Sequence, residues 1–95
     1  MREVVVEQRL VKGIKAQGGM CLKFISPGLR GVPDRIVVLP WNRIMFVETK
    51  APTGQLSKFQ EWVKRELQKR GVFVEVLYTV EAVDEFLKKV KHCEV

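Results

Sequence analysis

The chain has 95 residues, enough for one modest core, and its 46% hydrophobic and 29% charged content is too apolar for a disordered segment. Two cysteines, Cys21 and Cys93, are too few for a disulfide framework or a structural zinc site, and the lone His92 excludes a His-centred catalytic triad. Seventeen Lys and Arg against eleven Asp and Glu leave a formal charge of +6, a bias that suggests an anionic partner, nucleic acid first.

No repeat, low-complexity tract or linker interrupts the chain, so residues 1–95 read as one domain. Met1-Arg2-Glu3-Val4 places an acid early and offers no small-residue cleavage site, so an intracellular rather than a secreted protein is expected. No apolar run approaches the roughly 18 residues of a membrane helix. From Glu3 to Gln17, apolar residues at Val6, Leu10, Val11 and Ile14 have helical spacing, and Gly18-Gly19 is a stop. Met20 to Ile25 is rich in strand formers. Ser26 to Pro33, punctuated by two glycines and two prolines, reads as a loop. Arg35 to Leu39 and Ile44 to Thr49 read as strands joined in a hairpin across Pro40-Trp41-Asn42-Arg43, apolar on both faces as for strands sandwiched between layers.

Thr53 is a candidate cap for a second helix with Leu56, Phe59, Val63 and Leu67 inward, closing at Gly71. Val72 to Tyr78 is a strand, and Thr79 caps a last helix that turns Val80, Val83, Phe86, Leu87 and Val90 inward. The helix between the third and fourth strands is long enough for a right-handed crossover, which makes those two strands parallel. The expected fold is α/β, a mixed four-stranded sheet flanked by helices on both faces.

Chemistry concentrates at the hairpin. The midpoint of Asp34 and Glu48 falls at Trp41, inside the predicted turn, so pairing about that point makes the two acids cross-strand neighbours with Cβ atoms roughly 5 Å apart. Lys50 shares their face because side chains alternate along a strand. Two carboxylates this close repel, and one has its pKa raised unless a cation intervenes. A hard divalent ion such as Mg²⁺ resolves the conflict. The competing explanation is a rim ion pair of Lys50 with Glu48 or Asp34.

Two further polar residues fall on apolar stripes. Glu7 lies amid Leu10, Val11 and Ile14, where a carboxylate is costly unless paired or near a metal, although an acid near the helix start also suits the dipole and can reach solvent. Gln60 lies between Leu56, Phe59, Val63 and Leu67, either at the site or as an amide satisfied by backbone. Lys23 is a third polar residue that could point inward. Arg30 and Arg35 flank Asp34 and could hold a phosphate backbone, though a solvated loop explains them equally well. Lys58 belongs to a set of helical lysines and arginines that is a solvated face first and a nucleic-acid surface second.

The stretches Gly31-Val32-Pro33-Asp34-Arg35-Ile36-Val37, Phe46-Val47-Glu48-Thr49-Lys50 and Leu56-Ser57-Lys58-Phe59-Gln60-Glu61-Trp62, with Gly71 and Val74-Glu75-Val76 after them, together resemble the PD-(D/E)xK nuclease superfamily. Within it they resemble the VRR-NUC family of virus-type replication-repair nucleases. The likeness covers nearly the whole chain. It implies a restriction-endonuclease-like αβββαβα core and a metal-dependent endonuclease acting on DNA. In that likeness Asp34, Glu48 and the backbone carbonyl of Thr49 are metal ligands, with Glu7 near the metal directly or through water. Lys50 is the catalytic lysine, and Gln60 supports the site. Mg²⁺ is the implied cofactor, with Mn²⁺ able to substitute. Lys23, Arg30, Arg35 and Lys58 are the expected nucleic-acid contacts. No accessory DNA-binding domain accompanies this one, which makes a homodimer acting on branched DNA, a four-way junction or flap, the expected form. The rival expectations are a non-catalytic nucleic-acid-binding module with a nuclease-like fold and a small basic structural subunit.

Overall fold

In the computed structural model, which describes residues 2–95, seven elements follow one another: α1 (Glu3–Ala16), β1 (Met20–Lys23), β2 (Arg35–Leu39), β3 (Arg43–Thr49), α2 (Lys58–Lys69), β4 (Val74–Leu77) and α3 (Val80–Lys91). The strands lie side by side in chain order. β1 and β2 pair antiparallel, as do β2 and β3, while β3 and β4 are parallel across α2. This is the expected mixed sheet. No helix among the described residues is long and apolar enough to cross a membrane.

The hairpin sets the register on which the site depends. Leu39 pairs with Arg43 and Arg35 with Val47, so the ladder is centred on Trp41. Three residues, Pro40-Trp41-Asn42, span the turn, and Asn42 takes the left-handed conformation (φ 65°) such loops need at their last position. Asn tolerates that conformation better than a branched or bulky residue.

Each strand then sends alternate side chains to opposite layers. Val37, Leu39, Met45, Val47 and Leu77 join Val6, Leu10 and Ile14 of α1 and Val83, Phe86 and Val90 of α3 in one buried cluster. Here α1 and α3 lie close together. A Cβ on Gly13 would sit 2.3 Å from the Leu87 side chain, so the small residue permits the approach. The opposite face carries Ile36, Phe46, Glu48, Val74 and Val76.

That second face departs from expectation, because α2 covers only its β3–β4 half. Met20, Leu22 and Ile44 remain 57%, 42% and 61% exposed. A single helix about 10 Å wide cannot roof four strands spaced about 4.8 Å apart. The start of α2 differs too. Its cap is Ser57, not Thr53: the Ser57 side chain accepts from the Gln60 N–H while the Gln60 side chain accepts from the Ser57 N–H. Leu56 therefore precedes the helix. Phe59, expected inward, is 48% exposed, and among α2 residues only Val63 is fully buried.

Candidate active site

Asp34 sits one residue before β2, and the hairpin register carried back by that residue places it opposite Glu48. The two are joined directly: the Asp34 backbone N–H donates to Glu48 Oε1 at 3.3 Å. Lys50, two residues past Glu48 and on the same face, brings Nζ to 3.7 Å from Glu48 Oε2. Glu48 lines a small crevice with Pro33, Leu56, Gln60, Lys64, Val74 and Val76 and is only 6% exposed. An acid so placed resists ionisation. Burial first, then the neighbouring charge of Asp34, push its pKa up to about 7, while Lys50 and the Asp34 N–H pull the other way.

Asp34 Oδ1 is buried with no hydrogen-bond partner among the described residues. Its other oxygen, Oδ2, is 3.4 Å from Lys23 Nζ. An orphaned carboxylate oxygen beside a second, buried carboxylate is a pair of oxygen donors that could hold a cation. Thr49 adds a third oxygen. The N–H groups of Phe46 and Lys50 both donate toward β4, to the carbonyls of Phe73, just before the strand, and Leu77. Alternation along the strand therefore turns the peptide groups of Thr49 toward β2, on the side of Asp34. Two carboxylates and a carbonyl, completed by water and substrate, suit Mg²⁺, which seldom relies on an all-protein cage. Among the described residues no three His, Cys, Asp or Glu side chains are grouped so as to hold an ion, so Glu7, expected near the metal, is not gathered with Asp34 and Glu48 into one ligand set.

Glu7 belongs to the rim of this site. Its Oε2 lies 3.2 Å from Arg35 Nη2 and 3.7 Å from Lys23 Nζ. Lys23 thus bridges Glu7 to Asp34 across the end of the sheet. Arg35, expected to face a phosphate, is instead turned inward: its side chain is 14% exposed, clamped to Glu7, and donates to the Cys21 carbonyl at 3.4 Å. A pairing with a half-buried acid satisfies the guanidinium within the fold. Period-based reasoning could place Glu7 on the apolar stripe but could not show which cation meets it.

Gln60 lies between the site and its own helix. Its amide oxygen closes the capping box, yet its side chain lines the crevice around Glu48 and the open groove beside Lys50. That groove, about 520 Å³, is walled by Arg30, Gly31, Gln55, Ser57 and Phe59. Arg30 lies over the Phe59 ring, 4.4 Å from its centroid. Lys58 is exposed at the first position of α2. The Ser57-x-x-Gln60 spacing was a visible capping signal; the groove wall of Gln55 and Phe59 had none, because it arises where a loop meets a helix.

The chain is similar to known proteins along most of its length. The model of the VRR-NUC domain family matches residues 6–81, a span that includes Glu7, Asp34, Glu48, Lys50 and Gln60. A protein of Acyrthosiphon pisum secondary endosymbiont phage 1, named "Putative nuclease p44", is 48% identical over 60 residues, 63% of this chain and 64% of that protein. The match thus spans a little under two thirds of the phage relative. A solved structure described as a VRR_NUC domain superposes with a TM-score of 0.83 at 31% identity, covering 95% of each chain.

Proposed function

The chain belongs to the VRR-NUC domain family, and from that premise we propose that it is a metal-dependent endonuclease that hydrolyses DNA phosphodiester bonds. Its substrate in this reading is branched DNA, a four-way junction or flap, cut inside the cell by a homodimer. The observation that carries the proposal is the pairing of Asp34 with the buried Glu48, one oxygen of the pair unpartnered among the described residues, beside the Lys50 ammonium. A binding module gains nothing from two acids aimed at phosphates, since they repel its ligand.

Asp34, Glu48 and the Thr49 carbonyl would hold Mg²⁺, with Mn²⁺ as a substitute. When bound, that ion supplies charge against the scissile phosphate and lowers the pKa of a coordinated water. The protein groups do the rest. Lys50, fixed by Glu48, holds an attacking water by hydrogen bond and opposes the negative charge that grows on the phosphate. With a positive charge between the two acids, Glu48 would be held in its ionised form. Arg35 and Lys23 hold Glu7 and Asp34 in place, so the acids do not splay apart while the substrate is absent. Gln60 carries the wall of the groove over the site. The uncovered apolar half of the sheet, around Met20, Leu22 and Ile44, supports the dimer, because a patch of this kind usually meets a partner.

The test is cleavage of duplex, flap and four-way junction DNA with Mg²⁺, Mn²⁺ or EDTA. Metal-dependent cutting, strongest on a branched substrate, is expected. Lys50→Ala should lower the cutting rate by at least about hundredfold while the fold and DNA affinity are kept. Binding without metal-dependent cutting on any of these substrates would leave only the non-catalytic module.

A further inference from the structure

We propose that the groove beside Lys50 is a subsite for an unpaired nucleotide next to the scissile phosphate, with Arg30 and Phe59 as its stacking wall. The proposal rests on the nuclease reading above and adds to it the feature of the DNA that is recognised.

Phe59 falls on the apolar stripe of α2 but is 48% exposed, one of the larger apolar surfaces left open beside the charged residues of the site. Arg30 is held over its ring at 4.4 Å. The arrangement is fixed by backbone contact. Gly31, at φ 89°, lies so close to α2 that a Cβ there would sit 2.8 Å from the Phe59 carbonyl carbon and oxygen. The loop therefore seats directly on the helix start and presents Arg30 to the ring. Groove and candidate active site are continuous, since Lys50 and Gln60 line the groove and Gln60 also lines the crevice that holds Glu48.

Three chemistries meet there. Arg30 and Lys50 supply positive charge for the backbone phosphates. Phe59 and the Arg30 guanidinium offer flat surface to a base. Gln55 and Gln60 offer amides to base edges or sugar. The volume, about 520 Å³, is within the range of small-ligand sites. A base within a continuous duplex has both faces covered by its neighbours, so this wall can engage only a base that has left the stack. Flaps provide such bases outright, and junction centres and nicks, where backbone or stacking continuity is interrupted, release them at lower cost than intact duplex does. The groove thereby gives this domain its own means of selecting branched DNA.

The experiment uses DNA with 2-aminopurine as the first unpaired nucleotide of a flap, and a duplex with 2-aminopurine paired at the same position. Binding is followed with Ca²⁺ in place of Mg²⁺. Wild-type protein should quench the fluorophore on the flap and leave it unchanged in the duplex. Phe59→Leu, which keeps an apolar side chain but removes the ring, should abolish the quench and cost about tenfold in flap affinity, with duplex affinity within about twofold. Phe59→Trp should restore both, and Arg30→Gln should weaken flap binding about fivefold. Circular dichroism shows which variants have folded. Absence of quenching by wild-type protein, or quenching retained in Phe59→Leu, overturns the subsite. Phe59-dependent quenching in a protein that never cuts sustains the subsite and removes the nuclease. Metal-dependent cutting without Phe59-dependent quenching does the reverse.

Discussion

Glu48 is 6% exposed and faces a second carboxylate, with the Lys50 ammonium 3.7 Å away, so its ionised form is the costly one in the metal-free protein. Its pKa is pushed up to about 7 from an ordinary value of 4.5. Between those two values the folded chain holds a proton that the unfolded chain has released, so stability falls as pH rises from about 4.5 through 7. Glu48→Gln removes the ionisable group. In EDTA, that variant should be more stable than wild type at pH 8 by on the order of 2 kcal/mol, with the gain vanishing near pH 4.5; urea unfolding at the two pH values measures it. Added Mg²⁺ should stabilise the wild type and not the variant. The Asp34–Glu48 pair was legible from the sequence because strand alternation and a turn centre suffice to place it. The pairing of Glu7 with Arg35 was not, because it joins α1 to β2, and a contact between distant elements leaves no local period.

Among the elements, the start of α2 links fold to site most directly. Ser57 and Gln60 satisfy two of the N–H groups a helix start leaves unpaired, and Gln60 also faces Glu48 and Lys50. Ser57→Ala should cost about 1 kcal/mol of stability in thermal or urea unfolding. Gln60→Glu, which keeps an oxygen for the Ser57 N–H, should preserve most of that stability but reduce cutting, since it adds a negative charge to the groove that takes a phosphate. Comparing stability with rate for the two variants separates capping from function. The apolar spacing pointed to the right helix and the wrong cap. Leu56 fits a helical stripe wherever the backbone begins to coil, so periodicity is blind to the first residue, whereas Ser-x-x-Gln marks it chemically. Phe59 shows the same limit: its place on the stripe says that it faces the sheet side, but the loop bearing Gly31 decides that it stops at the groove edge.

For the whole molecule, the net charge of +6 acts through the ions it displaces from DNA. If four phosphates are neutralised at the groove and its surroundings, raising salt from about 50 to 200 mM should weaken binding by about a hundredfold. Fluorescence anisotropy on a single flap substrate across that range gives the slope. Substituting Lys58, exposed at the head of α2, should lower the slope by about one phosphate without changing the preference for flap over duplex. A substitution in the stacking wall should change the preference and leave the slope nearly intact. Charge sets how tightly any DNA is held, and shape sets which DNA.

By itself the sequence determined the order of elements, the antiparallel hairpin and the parallel crossover, and the meeting of Asp34, Glu48 and Lys50 at one end of the sheet. Each of these follows from short-range rules: periods of two and 3.6, glycine and proline punctuation, and the handedness of crossovers. Only the tertiary structure decided that Arg35 turns to Glu7, that Lys23 joins Glu7 to Asp34, that α2 leaves half a sheet face open, and that Arg30 and Phe59 wall a groove beside the acids. These depend on how far one element sits from another. That separation is set by the summed packing of side chains remote in the chain, which no local pattern encodes.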